Sequence, residues 1–145
     1  MGLCYNKNVD KMTENVALNK DSLALALVGD GVWTLYVRTR LITQYDYKSG
    51  KLSGCAVRYV NAAAQCKMLY AIEDTLNESE RDVCRRARNA HSVSRAKNAT
   101  LDEYKKATAL EALFGYLYLT GQTDRLNTLE QICFETGVTE PAERG

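Results

Sequence analysis

Proline is almost absent from this chain, with a single residue, Pro141, close to the end. So few breaks over so long a stretch favour helices with short connections over a loop-rich β fold. Histidine is equally scarce. His91 stands alone, and the five cysteines (Cys4, Cys55, Cys66, Cys84, Cys133) form no CxxC pair, which argues against a zinc site. An odd, scattered set of thiols also argues against a disulfide framework and suits a reducing compartment. No apolar run reaches the length of a membrane span. The opening stretch MGLCYNKNVDK lacks the apolar core of a signal peptide, so a cytoplasmic location is expected, with no membrane partner. Charge of one sign is missing too. The formal net charge is +1, so any affinity for nucleic acid must come from local clustering.

What is present reads as one domain over 1–145, with its core at about 20–137 and short tails on either side. The most apolar stretch is Ser22–Arg38, SLALALVGDGVWTLYVR, with one carboxylate, Asp30, between Gly29 and Gly31. An ionised carboxylate in such a setting needs a partner. Locally the stretch supports two structures: a hairpin turning at GDG, or one buried helix led by Ala and Leu. Each glycine counts against the helix by about 1 kcal/mol, and the absence of a β-branched residue in LALAL counts against the hairpin.

Further along, residues 51–75 read as one helix with an apolar stripe of Val57, Val60, Ala64, Leu69 and Ile72. Asn77, with Glu80 three residues on, predicts a capping box opening a helix over 78–90. From Arg81 to Lys97 the chain has five arginines and one lysine against one acid, Asp82. A solvated helix face explains such a run, and so does a phosphate-binding one. Thr100 and Glu103 predict a second capping box, for a helix running to about Thr120 and stopped by Gly121. A last helix is expected from Thr123 or Asp124, with Leu126, Leu129, Ile132 and Cys133 facing inward and Gly137 closing it. The count is five or six helices, with no strand expected outside the undecided Asp30 stretch.

The helix through ATALEALFGYLYL mirrors the Asp30 stretch, an apolar run interrupted by one acid, Glu111, with Gly115 four residues on along the same face. One reading has Asp30 and Glu111 separately capping helices or pairing with arginines inside a scaffold. The other sets them side by side as ligands of Mg²⁺, an ion commonly held by one or two carboxylates, waters and substrate phosphates. Beside an arginine-rich surface, that chemistry would be phosphodiester hydrolysis.

The stretches LALALVGDGVWTLYVR, VNAAAQCKMLYA, RRARNAHS and KATALEALFGYLYLTGQTDRL, in this order over roughly residues 20–132, resemble Mini-ribonuclease III. This is the compact branch of the ribonuclease III family that lacks a separate double-stranded-RNA-binding domain. The resemblance implies a helix for the Asp30 stretch and an all-α fold like the ribonuclease III catalytic domain. It also implies a homodimer and Mg²⁺-dependent cleavage of double-stranded RNA, leaving 5′-phosphate and 3′-hydroxyl ends. The substrate implied is the precursor of 23S ribosomal RNA, with help from a ribosomal protein left open. By position, Asp30 and Glu111 match the family's catalytic and metal-binding acids. Arg86, Arg88 and Asn89 match its RGRNA element, and Lys97 and Asn98 fall in an RNA-contacting loop. Full-length relatives have further acids where Ala26 and Thr108 stand here. The Mini branch lacks both, which leaves each site two protein carboxylates. Gly31 replaces the usual alanine, Ala87 the usual glycine, and Gly54 a frequent histidine. The alternative is a non-catalytic RNA-binding or ribosome-associated protein on the same fold.

Overall fold

A computed structural model describes residues 11–90 and 100–138. Seven helices follow one another: α1 (Glu14–Leu18), α2 (Ser22–Gln44), α3 (Ser49–Val60), α4 (Ala62–Ile72), α5 (Glu78–Asn89), α6 (Leu101–Leu119) and α7 (Thr123–Val138). A 3₁₀ turn, Glu73–Thr75, follows α4. Among the described residues there is no strand, and no helix is long and apolar enough to cross a membrane.

Local chemistry sets most of the boundaries. Asp21 caps α2 by accepting from the Ala24 N–H, as Ser, Thr, Asp and Asn caps do. Both expected capping boxes are formed, Asn77 with Glu80 and Thr100 with Glu103. Gly121 ends α6 with φ 68°, the left-handed conformation that glycine adopts without strain. The Ser22–Arg38 stretch is helix throughout and continues to Gln44. Leu25, Gly29, Trp33, Val37 and Leu41 form its buried ridge at every fourth residue.

Two expectations are corrected. Residues 51–75 are not one helix, because the chain turns at Asn61, whose backbone is extended at φ −82°, ψ 159°. The Asn61 side chain serves both halves. Its Oδ1 accepts from the Ala64 N–H, and its Nδ2 donates to the Val57 and Arg58 carbonyls. Gly137 does not close the last helix but lies inside α7. There the Tyr59 ring approaches so closely that an added Cβ would stand 2.7 Å from it.

Helix α6 runs through the middle of the molecule. Every residue from Ala107 to Leu117 is buried except Glu111. Around it, Trp33, Phe114, Phe134, Leu110, Leu113, Leu117, Leu129 and Met68 are fully shielded from solvent. The Trp33 indole N–H donates to the Tyr59 carbonyl at 2.7 Å, fixing α2 against the end of α3. A buried ion pair joins α5 to α7. Glu80, with no exposure, accepts two hydrogen bonds of 2.9 Å from Arg125, whose guanidinium also donates to the Thr75 carbonyl. Burial opposes ionisation of Glu80, but the Arg125 hydrogen bonds and charge outweigh it and hold the carboxyl below its usual range. The four cysteines among the described residues are free thiols. Burial pushes Cys84 up to about 12, which keeps it an inert core residue.

Candidate active site

The site begins with two glycines. Helices α2 and α6 cross so closely that their backbones touch. A Cβ on Gly29 would stand 1.6 Å from the Glu111 carbonyl oxygen, and one on Gly115 would stand 2.0 Å from the Leu25 carbonyl oxygen. Only residues without a side chain allow this approach. Its consequence is chemical, because Asp30 follows Gly29 and Glu111 lies across the crossing. Their carboxyl groups approach each other there. Gly31, by contrast, faces open space, so its small size is not needed for the crossing.

The two acids differ in environment. Asp30 is exposed. Glu111 is the more enclosed acid, at the one opening in the buried run of α6. Its burial, then the hydrogen bond and the charge of Asp30, push the Glu111 carboxyl up from 4.5 to about 8, against a smaller opposing pull from the Gln65 amide. At neutral pH the pair therefore holds a proton that a lone glutamate would have lost. Two oxygen donors in mutual repulsion, relieved by one positive charge, make a fitting seat for a hard divalent cation. Among the described residues no cluster of three or more potential ligands is present. Ala26 is buried in α2, and the Thr108 hydroxyl is bonded to the Tyr104 carbonyl, so neither position adds an acid. Waters and substrate oxygens would complete such an ion's shell.

The remaining expected site residues fall on or after α5. Arg86 is built into the fold. It pairs with Asp82 at 3.0 Å and donates to the Leu18 carbonyl, with 43 % of its side chain still exposed. Arg88 is half-buried and Asn89 exposed. An open groove of about 560 Å³ is lined by Arg81, Arg85 and Arg88, but also by Glu73, Glu78 and Asp82. In space, then, Glu73 of the preceding turn joins Glu78 and Asp82 of α5 itself in partly balancing the basic run. Lys97 and Asn98, like His91, lie outside the described residues. One site residue escaped the sequence reading. Gln65 is 2 % exposed on α4 and faces Glu111. Its signal was present, since position 65 shares the buried stripe of Leu69 and Ile72, where an amide is out of place.

A helical domain with two acids meeting across a glycine crossing matches a known family. Residues 23–122 match the Ribonuclease III domain. The chain is 37% identical over 128 residues to a Mini-ribonuclease 3 of Thermoanaerobacter sp. (strain X514), covering 88% of this chain and 90% of the relative. To a Mini-ribonuclease 3 of Brevibacillus brevis it is 45% identical over 112 residues, 77% of this chain and 84% of the relative. The crystal structure of a Fusobacterium nucleatum protein superposes with a TM-score of 0.73 at 31% identity, covering 81% of this chain and 93% of that one. The chain belongs to the ribonuclease III family, in its Mini-ribonuclease III branch, whose members are endoribonucleases.

Proposed function

We propose that this protein is a Mg²⁺-dependent endoribonuclease that cuts double-stranded RNA by phosphodiester hydrolysis, in maturation of the 23S ribosomal RNA precursor. The observation that carries this reading is the approach of the Asp30 and Glu111 carboxyls where Gly29 and Gly115 let α2 and α6 touch. Salt-bridging acids would hold arginine partners instead, and neither acid has an ion pair among the described residues. Asp30 and Glu111 would hold the Mg²⁺ ion. When bound, Mg²⁺ supplies Lewis acidity at the scissile phosphate and a more acidic water. The two carboxylates would orient a water for attack on the phosphate.

Arg88, Asn89 and the exposed edge of Arg86, with Lys97 and Asn98, are proposed as contacts to phosphates and 2′-hydroxyls, the features by which A-form RNA is recognised. A homodimer is part of the same proposal. On α2 the exposed side chains Leu27 (75 %), Leu35 (42 %) and Ile42 (57 %) lie in one stripe with Gly31 and Arg38. An apolar stripe of this kind suits a second subunit.

The test is incubation of a duplex ribosomal-RNA stem with wild type, Asp30→Asn and Glu111→Gln, with Mg²⁺ and with EDTA. Cleavage by wild type in Mg²⁺ alone, lost in both variants, is expected. Undiminished cleavage by Asp30→Asn, or a gel shift with no cleavage by wild type, would overturn the reading.

A further inference from the structure

Gln65 is the one side chain among the described residues that holds a fully buried polar atom without a hydrogen-bond partner: Nε2 has none. The residue is 2 % exposed, so water does not serve as the missing acceptor at its surface. Native proteins rarely keep such a group without a role for it. Its position supplies one. Gln65 lies in the first turn of α4, with its backbone N–H bonded to the Asn61 carbonyl. Helix α4 packs against α6, and the amide is turned to the Glu111 carboxyl. Its Nε2 stops short of hydrogen-bond geometry there. An amide N–H donates well to a carboxylate oxygen brought within reach.

We propose that Gln65 is a positioning residue for the carboxylate pair: its buried, unpartnered Nε2–H donates to Glu111 when that carboxylate holds a cation together with Asp30, fixing the orientation of the ligand. This rests on the reading of Asp30 and Glu111 as cation ligands. Gln65 touches neither the cation nor the substrate. It acts through Glu111, as outer-shell donors act through the ligands they hold. The donor is kept dry and aimed in advance, so that little is reorganised when the ion enters.

Mn²⁺ serves as the probe, titrated calorimetrically into wild type, Glu111→Gln, Gln65→Met and Gln65→Glu, each with its melting temperature taken in EDTA. Methionine keeps the length of the side chain and removes both donors. The melting temperature of Gln65→Met in EDTA is expected to equal or exceed that of wild type, since an orphaned buried amide is lost. Its Mn²⁺ affinity is expected to fall about tenfold or more. Gln65→Glu, which puts a further acid against the Glu111 carboxyl where the donor stood, is expected to melt lower in EDTA than wild type. Mn²⁺ affinity of Gln65→Met equal to wild type would overturn the proposal. So would a Gln65→Glu protein that melts in EDTA as wild type does, since residue 65 would then not face Glu111. Wild type that binds no Mn²⁺, or Glu111→Gln that binds it equally well, would overturn the cation reading itself. That failure shows in proteins unaltered at position 65, so the two are distinguishable.

Discussion

Replacing Glu111 by glutamine should make the metal-free protein more stable at neutral pH, against the usual outcome of altering an enclosed charged residue. The sign follows from the shift. Glu111 titrates at about 8 in the folded chain against 4.5 ordinarily, so the folded state binds the proton more tightly than the unfolded one. Its contribution to stability is therefore complete below about pH 4.5 and is lost as the pH rises towards about 8. Each unit in that window is worth about 1.4 kcal/mol per group. Between about pH 4.5 and pH 7 the loss comes to about 3 kcal/mol, and to about 1–3 kcal/mol once the part of Glu111 that reaches solvent is allowed for. Glutamine has the same shape and no proton to lose, so Glu111→Gln should escape this decline. Glu130, which burial also raises to about 8, titrates in the same window in both proteins and cancels from the comparison. Urea denaturation in EDTA at about pH 5 and about pH 8 measures the difference directly. Near-equal stability is expected at the lower pH and an advantage for Glu111→Gln at the higher. With Mg²⁺ the order should reverse, because only wild type gains stabilisation of the form RT ln(1 + [L]/Kd). A Glu111→Gln protein less stable than wild type at about pH 8 in EDTA would refute the reasoning. It would mean that Glu111 is ionised and salt-bridged within a scaffold.

The glycines of the Asp30 motif should respond in opposite ways. Gly29→Ala forces a methyl into the Glu111 carbonyl and should cost about 3 kcal/mol or more, while Gly31→Ala, which faces open space, should be neutral or stabilising by up to about 1 kcal/mol. Thermal melts of the two single variants decide this, and equal melting temperatures would contradict the crossing. Arg125→Met strands the fully buried Glu80 carboxylate and should cost about 3 kcal/mol. Glu80 is held below the usual carboxylate range, so the stability it adds is present above about pH 4.5 and lost as the pH falls through its lowered value. The penalty of Arg125→Met should accordingly shrink in acid, and a penalty independent of pH would show that the pair contributes by packing alone.

Local features were legible along the chain, and the reasons are short-ranged. Both capping boxes satisfy a helix's first N–H groups with side chains three residues away, so Asn77–Glu80 and Thr100–Glu103 could be read directly. The positive φ of Gly121 has the same local origin. The break at Asn61 was readable in principle, since an Asn before AAAQ is an N-cap. Continuous helix propensity on both sides concealed it. Other features depend on what packs where. Gly29 and Gly31 are indistinguishable in sequence, yet one is essential to a backbone contact and the other faces solvent. The basic run of α5 reads as a phosphate-binding surface until the fold sets Glu73, Glu78 and Asp82 around the same groove and turns Arg86 to Asp82 and the Leu18 carbonyl.

By itself the sequence determined a mainly helical chain with the Asp30 stretch open between helix and hairpin, most of its helix boundaries and the two acids worth pairing, because propensity, capping and apolar periodicity act within a few residues. Only the tertiary structure decided that Glu111 is the enclosed acid and Asp30 the exposed one, and that Gln65 stands behind the pair. Those facts follow from a helix crossing in which Gly29 and Gly115, distant along the chain, let two backbones touch. Contact at that range is set by the packing of the whole core.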